Sequence, residues 1–213
     1  MKESSKNTIH NIIFDFGGVI IEISHQRLEE SFRRYGVENF DLLFSQAMQS
    51  ELFKKFEKGK ITQVQFRKEF RKLTNLDISD DILDQLWNQI IGDYPPHRIE
   101  LLRRIKANYK LFLFSNTNNI HYNFYIEKFK QEFGFDFHSL FNNTYWSFKM
   151  GKRKPDLASF SEIMVKEGLV PEETLFIDDS LQNIVAAKQL DLKTIHLISG
   201  LDIKDLFKDG LLL

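Results

Sequence analysis

Short apolar-rich runs recur along this chain at 11–14, 111–114, 174–177 and 193–197, and a further short strand is expected at 144–147. Between them lie longer stretches in which apolar positions return every three to four residues. An apolar run of four or five residues bounded by polar ones reads as a buried strand, and the spaced pattern as an amphipathic helix. The alternation predicts βαβ units, hence an α/β fold with a parallel sheet flanked by helices. Helices are expected over 97–108, 120–133, 157–167 and 181–190, followed by a last strand and a short terminal helix.

Residues 24–95 break this rhythm, because they contain helical periods and no strand. A segment over 25–35 stops at Gly36 and another over 40–58 stops at Gly59. Thr62-Gln63-Val64-Gln65 fits a capping box, with Phe66, Phe70 and Leu73 following on one face. Over 80–91 an apolar stripe runs through Ile82, Leu83, Leu86, Trp87, Ile90 and Ile91. Four helices inserted after the first strand predict an all-helical domain at 23–95, carried by a core domain of 1–22 and 96–213. Tyr94-Pro95-Pro96 is a natural return point, since proline disfavours helix in the residue before it.

Composition narrows the partners. The 29 basic and 30 acidic residues nearly cancel, so no global field favours nucleic acid or an anionic membrane. No apolar run approaches the roughly 20 residues of a membrane span. The polar stretch 1–10 lacks the apolar segment of a secretory signal, and there is no cysteine for disulfides or thiolate ligands. A cytoplasmic protein is expected. The 21 phenylalanines are assigned to core and inter-helix packing.

Chemistry-bearing residues fall at strand ends. The first strand ends in Asp15, the run 111–114 in Ser115, and the run 174–177 in Asp178-Asp179. In open parallel sheets ligands bind outside the carboxyl ends of the strands, so three such endings can meet in one crevice. Gly17-Gly18 after Asp15 allows a sharp turn whose free amides can hold an anion. Ser115-Asn116-Thr117-Asn118 offers hydroxyls and amides at a helix start, as a phosphate cradle or as ordinary N-capping. Of the basic run Lys152-Arg153-Lys154, Lys154 beside Pro155 is placed in the site, the others at the surface; Pro155 is a candidate helix start. Adjacent carboxylates repel unless a cation joins them, and hard oxygen ligands of this kind suit Mg²⁺. The competing reading of Asp178-Asp179 is an acidic helix cap.

These residues, in this order, resemble the four motifs of the haloacid dehalogenase-like hydrolases: 11–20 around Asp15, 114–118 around Ser115, Lys154-Pro155, and 176–180 around Asp178-Asp179. The resemblance spans nearly the whole chain. It is nearest to the subgroup holding bacterial glucose-1-phosphate phosphatases and the phosphatase domain of epoxide hydrolases, and it implies a Rossmann-like core with an inserted helical cap. It further implies a phosphatase acting on a small phosphorylated metabolite, with Asp15 as the nucleophile that forms an aspartyl-phosphate. Mg²⁺ would be held by Asp15, the Gly17 carbonyl, Asp178 and Asp179. Phosphate would be held by Ser115, Asn116, Lys154 and Gly18. One departure stands out: family phosphatases commonly carry a second aspartate two residues after the nucleophile, as general acid and base, and here that residue is Gly17. General acid catalysis typically contributes about 10²–10⁴-fold, so a weakly catalytic or non-catalytic binding protein is the alternative. A signalling receiver domain is excluded by order, since receivers place the acidic pair before the phosphorylated aspartate. His25, just after the first motif, could line the cleft, but as a lone histidine near a helix start it is expected at the surface.

Overall fold

The computed structural model of the protein describes residues 9–49 and 51–213; most of the polar stretch 1–10 lies outside them, as does Ser50 within the helix expected over 40–58. Five strands, β1 (Asn11–Phe14), β2 (Lys110–Ser115), β3 (Asn143–Trp146), β4 (Thr174–Asp178) and β5 (Lys193–His196), form a parallel sheet in the order β3-β2-β1-β4-β5. Along each central strand alternate residues enter different cores. Ile12, Phe14, Leu111, Leu113, Leu175 and Ile177 pack on one face, while Ile13, Phe112, Phe114 and Phe176 pack on the other. A parallel strand covered on both faces must be apolar at every position, which is why these runs are unbroken in the sequence. Each large side chain buried this way contributes about 1.5–3 kcal/mol.

The chain steps outward from β1 to β2 and β3, then returns to place β4 and β5 on the other side of β1. The strand order therefore reverses between β1 and β4, and the crevice at their carboxyl ends is where such sheets bind ligands.

Among its described residues the strand-free segment holds five α-helices: α1 (His25–Arg33), α2 (Phe40–Gln49), α3 (Leu52–Glu57), α4 (Gln63–Thr74) and α5 (Asp80–Trp87), then a 3₁₀ turn at Asn88–Ile90. They share their own apolar core around Phe32, Phe53, Phe66, Phe70 and Leu83. The single helix expected over 40–58 is two, with Glu51 in the left-handed region at φ 63°. In one straight helix Leu52, Phe53 and Phe56 would lie about half a turn round from Phe40, Leu43 and Phe44. The break re-aims both sets at one core. The capping box on α4 is formed, with Thr62 accepting from the Gln65 N–H and Gln65 accepting from the Thr62 N–H. Two chain segments connect the insert to the sheet and pair antiparallel: Glu22 N–H to Asp93 O at 3.0 Å, Gly92 N–H to Glu22 O at 2.8 Å and Ser24 N–H to Ile90 O at 2.9 Å.

The remaining helices are α6 (Pro96–Lys106), α7 (Asn119–Phe133), α8 (Ser147–Met150), α9 (Leu157–Glu167) and α10 (Leu181–Lys188). Helix α9 begins at Leu157 with Asp156 as its N-cap residue, not at Pro155. The Lys154 backbone just before is held to Asn116, which keeps Pro155 in the turn. In place of a terminal helix there is a 3₁₀ turn at Ile203–Leu206 and a two-stranded ribbon, β6 (Phe207–Lys208) with β7 (Leu211–Leu212). Asp209 and Gly210 both take positive φ, 52° and 80°, as a tight type I′ hairpin turn requires. No helix among the described residues is long and apolar enough to cross a membrane.

Candidate active site

The sheet brings three polar strand ends together. β1 lies between β2 and β4 in register, and the Asp15 N–H donates to the Ile177 carbonyl at 2.8 Å. Asp15 (9% exposed), Ser115 (3%) and Asp178 (0%) are thereby buried side by side. Lys154 Nζ completes the group, 2.5 Å from Asp15 Oδ1 and 2.7 Å from Asp178 Oδ2, and is itself 1% exposed. Of the three cations in that run only Lys154 enters. Lys152 pairs with Glu162 at 2.7 Å, and Arg153 Nε lies 2.8 Å from Glu57 on the helical insert.

Neighbouring polar groups fix these positions. Asn116 donates through Nδ2 to the Lys154 carbonyl and accepts the Lys154 N–H on Oδ1, both at 2.9 Å. Its side chain is thus engaged in holding the lysine, and its second Nδ2 hydrogen and its backbone N–H remain for an anion. Ser147 Oγ accepts the Thr117 N–H and donates to the Thr117 carbonyl, at 2.9 Å each. Asn118 caps α7 by accepting the Ile120 and His121 N–H groups at 3.1 Å. Of the two readings of 115–118, capping therefore belongs to Asn118, while Ser115 stays in the site.

The acidic pair divides its work. Asp178 Oδ1 accepts the Ser180 N–H at 2.8 Å and Asn183 Nδ2 at 3.0 Å, so it does secure the start of α10 while its other oxygen meets Lys154. Asp179 is exposed and reaches across Gly18: a Cβ on Gly18 would lie 2.3 Å from Asp179 Oδ2. Gly18 also has φ +75°, whereas Gly17 has no positive φ and only the Ile23 side chain near it. Glycine is thus required at Gly18 and not, by backbone, at Gly17.

One carboxylate oxygen from each of Asp15, Asp178 and Asp179 lies within 4.8 Å of the others. Three carboxylates against one ammonium leave negative charge in excess, and the protein responds with shifted acidities. Burial pushes Asp15 up to about 7, against the pull of Lys154 and with the repulsion of Asp178 and Asp179. Burial and then the Asp178 charge raise Asp179. Burial alone would depress Lys154, but the Asp15 and Asp178 carboxylates outweigh it and hold it above the ordinary range. A cluster of hard oxygen donors with surplus negative charge fits a divalent cation such as Mg²⁺.

A cavity of about 260 Å³ lies between the sheet and the helical insert and meets the site at Gly17 and Ser115. Gly17 and Ser115 to Asn118 form its floor, and Phe44, Phe53, Phe56 and Trp87 form an aromatic wall. Most phenylalanines do pack in the cores, yet these three also face the cavity. Glu57 and His121 add polar groups; burial raises Glu57 against the pull of Arg153, and lowers His121 to about 3. His25 is exposed as expected and also lines this cavity, its ring 6.3 Å from that of Phe44. Ser147, Asn183, Glu57 and His121 went unread in the sequence because each acts through a contact set by the fold. Only Asn183, in the first turn of a helix that follows an acidic pair, carried a local signal.

The profile of the haloacid dehalogenase-like hydrolase family matches residues 9–191. A D-ribitol-5-phosphate phosphatase of Bacteroides thetaiotaomicron is 27% identical over 194 residues, 91% of this chain and 94% of that protein. A crystal structure of a HAD-family enzyme from the same organism, in complex with magnesium and inorganic phosphate, superposes with a TM-score of 0.87 at 33% identity, covering 94% of this chain and 100% of the other. A HAD-like hydrolase of Porphyromonas gingivalis superposes with a TM-score of 0.82 at 28% identity, covering 91% and 93%.

Proposed function

The chain belongs to the haloacid dehalogenase-like hydrolases, and from that premise we propose that it is a magnesium-dependent phosphatase for small phosphomonoesters of the sugar-phosphate kind. The observation that carries this reading is Asp15 at the carboxyl end of β1, clasped by Lys154 and set beside the Asp178-Asp179 pair. The complex of a 33% identical neighbour with magnesium and phosphate supports it.

In this reading Asp15 Oδ attacks phosphorus, the bond to the ester oxygen breaks and the departing alkoxide takes its proton from water, and the phosphoryl group rests on Asp15 until a second water attacks phosphorus, releasing phosphate and the free carboxylate. Lys154 and Ser115, with the backbone amides of Asn116 and Gly18, hold the transferring oxygens. Phosphoryl transfer is mainly a matter of position and charge neutralisation, and these groups supply both. Mg²⁺ would be held by Asp15, Asp179 and the Gly17 carbonyl, and it supplies positive charge at the phosphoryl oxygens. Asp178, whose oxygens already serve Ser180, Asn183 and Lys154, would reach the ion through water. Lys154 neutralises Asp15 until substrate enters.

Residues 23–95 act as a cap over the core formed by 1–22 and 96–213. Support comes from the shared cavity, the paired connecting segments, and two ion pairs that join α3 to the loop carrying Lys154: Glu57–Arg153 and Lys58–Asp156, both at 2.8 Å. Closure over that cavity would exclude water during transfer.

Gly17 favours a second reading, a binding protein with little turnover. A panel of phosphate esters assayed with Mg²⁺ and with EDTA separates the two. Metal-dependent release of phosphate is expected; ligand binding without release on every ester would establish the binding protein instead.

A further inference from the structure

One polar group in the cavity has no part in the chemistry at Asp15. His121 stands in the first turn of α7, three residues after the Asn118 cap and six after Ser115, so it is anchored to the same strand end as the site. Its Nδ1 lies 2.9 Å from Asn88 Oδ1, and its ring stacks on Trp87 with centroids 5.1 Å apart and planes 12° from parallel. A carbonyl oxygen only accepts, so Nδ1 carries the proton and Nε2 is left as an acceptor. No described residue bonds to Nε2, and His121 lines the cavity.

The cavity therefore presents an aromatic wall interrupted by an unanswered acceptor. Small-molecule sites have this form, with apolar walls for shape and a few placed polar groups for orientation. A cation is a poor occupant, since burial keeps His121 neutral but no carboxylate beyond Glu57, already paired with Arg153, answers a charge here. An alkyl chain would fill the wall and leave Nε2 without a partner, which burial penalises. A hydroxyl-bearing carbon chain satisfies both. At about 30 Å³ per water, a cavity of about 260 Å³ holds on the order of ten ligand heavy atoms.

We propose that His121 is a specificity-determining residue of this site, its Nε2 accepting a hydrogen bond from a hydroxyl of the leaving alcohol, so that the enzyme selects short phosphorylated polyols over alkyl phosphates of the same length. The proposal rests on the phosphatase reading given above. It puts recognition on a core helix fixed to the phosphate cradle, so the hydroxyl is read at a set distance from phosphorus. Trp87 and Asn88, from the last turns of the helical insert, hold the imidazole in that orientation, so the acceptor is set when the cap is closed on the core.

The test compares kcat/KM for D-ribitol 5-phosphate and for pentyl phosphate in the natural protein, His121→Phe and His121→Gln, with Mg²⁺. Phenylalanine keeps the stack on Trp87 and removes the acceptor; glutamine restores an acceptor oxygen. The natural protein is expected to prefer the polyol ester, His121→Phe to reduce that preference about tenfold, and His121→Gln to recover part of it. Calorimetry of both esters with the Asp15→Asn protein, with and without His121→Phe, reads the same ratio as binding. If no ester is turned over, the phosphatase reading fails, while the ratio of dissociation constants still judges His121. A ratio unchanged by His121→Phe, or equal losses on both esters, overturns the proposal.

Discussion

Gly18→Ala offers the sharpest perturbation of the metal cluster, because its effect divides into two parts with a built-in control. The first part is backbone strain. Gly18 has φ +75°, and an L-residue there costs about 1–2 kcal/mol. Gly134, which ends α7 at φ +73° with nothing within 4 Å of an added Cβ, would suffer the same strain and no contact. The second part is steric and belongs to Gly18 alone: the new methyl would sit 2.3 Å from Asp179 Oδ2. That oxygen is the end of an exposed side chain, so it can rotate away and the added loss of stability should stay under about 1 kcal/mol. Rotation takes the Asp179 carboxylate off the cluster, however, and losing a direct ligand should weaken binding by at least the about 10–100-fold typical of losing a group that only orients a ligand. Urea unfolding of metal-free protein and calorimetric titration with Mg²⁺ would be run on both variants. Similar destabilisation of about 1–2 kcal/mol is expected for the two, with Mg²⁺ binding weakened in Gly18→Ala only. Equal Mg²⁺ affinity in both would show that Asp179 does not hold the ion where the cluster indicates.

Three further outcomes follow from the same geometry. Lys154→Met leaves Asp15 and Asp178 facing each other without their shared cation, and breaking a buried pair costs about 3–5 kcal/mol. Chemical denaturation should show that loss at neutral pH without metal, with partial recovery on adding Mg²⁺ or on lowering the pH so that one carboxyl takes up a proton. In metal-free natural protein Asp15 is raised from 3.8 to about 7, so the folded state keeps a proton that the unfolded chain releases. Stability should therefore fall as pH rises from about 4 to about 7, by up to about 4 kcal/mol, and saturating Mg²⁺ should flatten or reverse that slope because its ligands bind deprotonated. Finally, with no acid at Gly17, log kcat/KM should fall steeply with leaving-group pKa. Gly17→Asp should help alkyl esters most, within the 10²–10⁴ range typical of general acids, because the backbone there is not left-handed and only Ile23 Cγ1, at 3.1 Å, must give way.

The parts of this fold that are legible in the sequence are those where one physical constraint acts on consecutive residues. Ile12–Phe14 of β1 and Leu175–Ile177 of β4 are covered on both faces, so each of these positions is apolar and the polar residue that ends each run, Asp15 or Asp178, marks both the strand end and the site. Lys154 could be picked from three adjacent cations only by its place beside Pro155, and the fold sends the other two to Glu162 and Glu57. What escaped depends on tertiary context. Helical periodicity runs on through Glu51, and only the need to turn Leu52, Phe53 and Phe56 toward the core of Phe32 and Phe66 breaks it. Asn116 has the composition of a phosphate ligand, yet its amide is engaged with the Lys154 backbone 38 residues away. The Asp209-Gly210 turn was the exception: a strong hairpin dipeptide stood in plain view, and a two-residue ribbon gave too little apolar pattern around it.

The claim on which everything else depends is that the phosphoryl group passes through Asp15. Acid quenching of the enzyme during turnover of a phosphate ester with Mg²⁺, followed by peptide mass spectrometry, tests it directly. The peptide carrying Asp15 should gain the mass of one phosphoryl group in proportion to the active fraction, and Asp15→Asn should abolish both the adduct and turnover. Phosphate released at an undiminished rate by Asp15→Asn, with no adduct on the natural protein, would contradict the account.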